Sequence, residues 1–177
     1  MSVYERARLL NNEWRTAQLN QKYYRCRLND ERRLSFWLDL AIAFTSSGAV
    51  AGWTIWKLGP GAFVWQIAGA VTTLLAIARP LLKLPERVER LTELATGYST
   101  IAFDLSLHAN RARVKGGFSD DEWATIEGII ERNRDLNIKD EHPPRERLHR
   151  RCYTEVNRES PVAQLWWGPP TTEGEVK

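Results

Sequence analysis

The sequence has little of what catalysis or covalent stapling needs. It has two cysteines, Cys26 and Cys152, far apart in flanks expected to be cytoplasmic, where a reducing environment keeps thiols unpaired. Its three histidines, His108, His142 and His149, form no ligand-spaced cluster. There is no glycine-rich phosphate loop and no nucleophile motif, so nothing in the residues supports an enzyme, a cofactor or a metal site. His149 and Cys152 stand three apart and can meet on a helix, a spacing that chance supplies readily. A cleavable signal peptide is not expected: the first 33 residues are densely charged, and the first apolar run is too long and starts too late for an h-region. No internal repeat recurs.

Charge is also missing from one long stretch. Between Leu34 and Ala78 only Asp39 and Lys57 are charged, while the flanks hold nearly all the other acids and bases. The mean hydropathy of -0.44 averages over this segregation and hides it. The net charge of +3 does not point to a nucleic-acid partner, because basic and acidic residues alternate through both flanks. A chain of 177 residues has room for one compact domain or one small membrane module, and the segregation favours the second.

What is present is helical periodicity. Over residues 2–33, Val3, Ala7, Leu10, Trp14, Ala17, Gln21, Tyr24 and Leu28 recur at steps of four and three and predict an amphipathic helix. Residues 34–56 then form an apolar run long enough to cross the ~30 Å hydrocarbon layer at about 1.5 Å per residue. Lys57 to Gly61 supply two glycines and a proline for a reversal, and 61–82 completes a second span if Arg79 reaches the headgroups. Trp37 at one end, with Trp53, Trp56, Phe63 and Trp65 around the turn, places aromatic rings at both expected boundaries. Lys and Arg flank the pair of spans but barely occupy the turn. The positive-inside rule therefore puts both termini in the cytoplasm.

Pro85 opens a further predicted helix over 85–115, striped by Val88, Leu91, Ala95, Tyr98, Ala102, Leu105, Ala109 and Ala112. Gly116 and Gly117 break it. Ser119 to Glu122 is a capping box for a helix carrying Trp123, Ile126, Ile129 and Ile130. A charged helix is expected over Arg145 to Arg158, and an irregular tail after it. The expected fold is all-α: a transmembrane hairpin with long cytoplasmic helices forming a bundle. Residues 1–115 are one module, 118–159 a helical extension and 160–177 a tail. Leu10, Trp14, Tyr24, Leu91, Tyr98 and Leu105 are the expected cytoplasmic packing residues.

Two features inside the apolar region are candidate functional positions. Asp39 is costly at membrane depth, and folding the hairpin about its turn sets it beside Arg79. The pair fits a salt bridge at the cytoplasmic boundary or a charged ring at a pore mouth. Gly48 and Gly52 form a GxxxG pattern, and Gly69 with Thr73 offers a second small-residue face, for packing within the hairpin or between copies.

Leu10 and Trp14, Tyr23–Tyr24, Arg32–Arg33, the two apolar runs, and Pro85 to Arg90 followed by Ala95 and Tyr98 together resemble the SLATT family over roughly residues 5–115. Members are two-transmembrane effectors of bacterial nucleotide-signalling conflict systems. The resemblance implies a homo-oligomer in membrane lipid of the bacterial inner membrane. It implies an upstream sensor or nucleotide-signalling partner, and permeabilisation of the membrane as an antiviral response. It carries no catalytic chemistry. The alternatives are a non-conducting membrane scaffold or accessory subunit, and a soluble helical binding module whose apolar hairpin a partner covers.

Overall fold

The computed structural model describes residues 1–55, 67, 70–77, 79, 82–139 and 144–160, with side chains for all of these except 44–55. The chain is all-α, with no strand among the described residues. Its helices are α1 (Val3–Ile55), α2 (Leu84–Lys115), α3 (Asp120–Ile138) and α4 (Glu146–Glu159), and residues 70–77 are helical as well.

Each boundary has a local cause. α1 starts at a capping box: the Glu5 N–H donates to Ser2 Oγ at 3.2 Å, and the Ser2 N–H donates to Glu5 Oε2 at 2.7 Å. No glycine or proline occurs before Gly48, so nothing stops the helix where the charged flank meets the apolar run. The two helices expected over 2–33 and 34–56 are accordingly one helix that runs to Ile55.

α2 follows Lys83, which adopts a left-handed φ of 47°, and carries Pro85 in its first turn. It ends at Gly116, whose φ of 76° suits a residue without a Cβ, and the Gly117 N–H closes the cap on the Ala112 carbonyl at 3.1 Å. α3 opens on the expected box. Glu122 N–H donates to Ser119 Oγ at 3.3 Å and Ser119 N–H to Glu122 Oε2 at 3.1 Å. Lys115 also binds Glu122, and these contacts, Lys115 first and the Ser119 N–H next, hold the carboxyl down at about 2.

The chain divides into two compact units, Met1–Cys26 with Thr92–Lys177 and Arg27–Leu91. Trp123, Ile126, Ile129 and Ile130 of α3 share one core with Leu10 and Ala17 of α1 and Ile101, Ala102 and Leu105 of α2. That core lies in the first unit, where Cys152 and Val156 of α4 are also buried, outside the cluster itself. In the second unit Leu28, Leu84 and Leu91 are buried.

No helix among the described residues is long and apolar enough to cross a membrane. The centre of the two expected spans, 44–66, lies outside the described side chains, as do the turn at 57–61 and the tail from 161.

Candidate functional site

The second unit has many of its described apolar residues exposed. Leu34, Phe36, Trp37 and Leu40 on α1, with Ile67, Val71, Leu74, Ile77 and Leu82, are between 38% and 66% exposed. Phe36 and Trp37 pack edge to face, with ring centroids 5.7 Å apart, and both remain open to the surroundings. Within this surface Arg79 Nη2 is 2.6 Å from Asp39 Oδ1. That Asp39 oxygen is enclosed and has no hydrogen-bond partner among the described residues, so the contact is counted as an ion pair. The two candidate charges are thus brought together.

The small-residue positions fare differently. Gly48 and Gly52 lie on the helical backbone of α1, but their surroundings, and Gly69 altogether, lie outside the described residues. Thr73 is exposed on the helical stretch 70–77.

The first unit is built in the opposite sense. Leu10, Tyr24, Tyr98 and Leu105 are fully buried and Trp14 packs against the core, while Leu91 is buried in the second unit. Tyr24 and Tyr98 stack with centroids 5.6 Å apart and planes 5° off parallel. The Tyr98 hydroxyl donates to Asn137 Oδ1 at 2.8 Å, and Asn20 Nδ2 donates to the same oxygen at 3.2 Å. Burial pushes the Tyr98 hydroxyl up to about 12, against a smaller opposing effect from Asn20. Asn133, wholly buried, donates to Glu13 Oε2 at 2.8 Å. Arg6 reaches Asp120 at 3.0 Å and lies 5.4 Å above the Trp123 ring. These polar contacts tie α1, α2 and α3 into one register around the apolar centre.

No protein-family model, curated protein or solved structure matches the chain.

No cluster of three or more His, Cys, Asp or Glu able to hold a metal occurs among the described residues. The His149 ring stands edge-on to Tyr23 at 6.2 Å, and the neighbour that bears on the Cys152 thiol is Cys26. That thiol pair was not visible in the sequence. Its only local signal is that Cys152 and Val156 are one turn apart on a helix otherwise charged nearly throughout.

Proposed function

We propose that this chain is an oligomerising membrane effector: the 34–82 region anchors it in a lipid bilayer, and the helices of the first unit assemble copies on the cytoplasmic side. One observation carries this reading, the outward apolar surface of the second unit. Burying a large apolar side chain is worth about 1.5–3 kcal/mol, so leaving these nine half open to water forgoes on the order of 10 kcal/mol. That equals the whole stability of an ordinary domain. Hydrocarbon removes the penalty, and it also accounts for charges in this surface coming as a pair.

Assembly between copies has its own support. On α2, Phe103, Leu107 and Val114 fall at helical spacing and are all exposed, an apolar stripe outside the core of the first unit. The resemblance to SLATT effectors adds the remaining parts of the proposal: an upstream nucleotide-signalling partner, the bacterial inner membrane, and permeabilisation in antiviral defence.

The test is expression in bacteria with a voltage-sensitive dye, alongside fractionation. Carbonate-resistant membrane association with depolarisation on induction supports the effector, and association without depolarisation leaves an anchor or scaffold. Topology is read with an impermeant maleimide on Gly59→Cys and Thr125→Cys in a background lacking Cys26 and Cys152. Only position 59 reacts in intact cells. Recovery of the chain as a monodisperse species without detergent overturns the membrane reading.

A further inference from the structure

In the first unit α1 and α4 run antiparallel against each other, and several contacts set their register. Arg15 meets Asn157, and two turns further along α1 Tyr23 meets the His149 ring at 6.2 Å and accepts a hydrogen bond from the Arg145 N–H at 2.9 Å. Lys22 Nζ lies 2.5 Å from Glu159 and 3.8 Å from Glu155. One turn onward from Lys22 is Cys26, and one turn back from Glu155 is Cys152. The register thus seats Cys26 and Cys152 opposite one another, close enough for Cys26 to bear on the Cys152 thiol. Both cysteines are free thiols, Cys152 only 1% exposed and Cys26 partly open.

Two thiols facing each other across a helix–helix interface, one buried and one partly open, can be joined by oxidation. We propose that Cys26 and Cys152 are a redox-modification site: a peroxide converts them to a reversible intramolecular disulfide that fastens α4 to α1.

The chemistry balances. The Cys26 thiolate, the accessible sulfur, attacks a peroxide oxygen, the O–O bond breaks, and Cys26 becomes a sulfenic acid as the first water leaves. The Cys152 sulfur gives up its proton and attacks the Cys26 sulfur. The S–S bond forms, the S–O bond breaks, and a second water leaves. Two thiols lose two electrons and two protons, and the peroxide is reduced to two waters. Burial, reinforced by Cys26 beside it, pushes the Cys152 thiol up to about 11, so Cys152 stays protonated at neutral pH and acts second. A free dithiol reverses the bond. Such reversible pairs are the form in which cytoplasmic disulfides are ordinarily found.

The full-length chain, reduced and then exposed to hydrogen peroxide, is quenched with N-ethylmaleimide and mapped by non-reducing peptide mass spectrometry. The expected product, at monomer mass, is one linked peptide pair holding Cys26 and Cys152. Both thiols of the chain disappear together, at a rate independent of protein concentration, and dithiothreitol restores them. Cys152→Ala, which keeps a small apolar side chain in the buried position, stops at a dimedone-reactive Cys26. Over-oxidised Cys26 beside a reduced Cys152 in the unmodified chain overturns the proposal, as do cross-links that form only between chains. Because the unmodified chain supplies the deciding map, a misfolded variant does not blunt the test.

Discussion

Replacing Asp39 by Asn measures which solvent surrounds the second unit. The carboxylate and the Arg79 guanidinium are 2.6 Å apart, with side chains 44% and 50% open. If water fills the open half, the pair is an exposed salt bridge worth about 0–1 kcal/mol and fades as salt is added. If hydrocarbon fills it, removing the acid strands an arginine in lipid, which costs about 2.5–3.5 kcal/mol at the bilayer centre. Residues 39 and 79 lie near the outer ends of their apolar runs, where the arginine stem lets its head approach the interface. The expected coupling is therefore intermediate, about 1–2 kcal/mol, near the upper range for polar pairs between membrane helices. The assay is a double-mutant cycle of Asp39→Asn and Arg79→Gln. SDS titration in mixed micelles reads it at about 0.05 M and about 0.5 M salt. The double variant recovers most of the loss. A coupling below about 0.5 kcal/mol that vanishes in the higher salt refutes a lipid-facing pair.

Three further outcomes follow from the first unit. A Cβ on Gly97 stands 2.7 Å from Leu136 Cδ1, so Gly97→Val destabilises by about 1–3 kcal/mol. Gly128 meets nothing within 4 Å, and Gly128→Ala stabilises by up to about 1 kcal/mol; a pair of urea melts checks both signs. Tyr98, raised above its ordinary value, favours the folded state while protonated. Stability is whole below about pH 10 and declines as pH climbs towards 12, a slope that Tyr98→Phe abolishes in pH-dependent melts. Glu122 is depressed, so its contribution is present above the ordinary carboxylate range and is lost as pH falls to about 2. Ser119→Ala removes about 1 kcal/mol at neutral pH and flattens that acid limb.

Periodicity made the first unit legible because its helices bury one face each. Leu10, Tyr24, Tyr98 and Leu105 are enclosed where the three-four spacing placed them, and Ser119 with Glu122 caps α3. Val3 continues the stripe in sequence but is 51% exposed. Asn133 was hidden for another reason: it falls on the buried face with Ile126, Ile129 and Ile130, but its polarity masks the pattern until Glu13 is seen to accept from its amide nitrogen. The Cys26–Cys152 contact depends on how α4 returns along α1, and no local spacing encodes a tertiary register. The break expected at residue 34 came from a change in hydropathy, whereas helices stop for backbone reasons, and none exists there.

That unbroken passage from Arg33 to Leu34 is informative about function. The backbone conformation is the same on both sides, yet the exposed side chains change from Arg32 and Arg33 to Leu34, Phe36 and Trp37. Helix propensity hardly distinguishes the two sets, so the change marks what each surface meets. Leu74, 66% exposed, isolates this point, because it is the most open of the large apolar residues described in the second unit. In water Leu74→Arg is a surface change worth no more than about 0.5 kcal/mol either way. In a bilayer the same substitution carries about 3 kcal/mol, a loss of roughly a hundredfold in partitioning. Flotation with lipid vesicles should show the unmodified chain rising with the lipid and the Leu74→Arg chain largely left behind, with the thermal unfolding of the first unit unchanged. If both chains float equally, Leu74 faces a protein partner or a watery lumen, and the outward apolar surface is a docking face between helices.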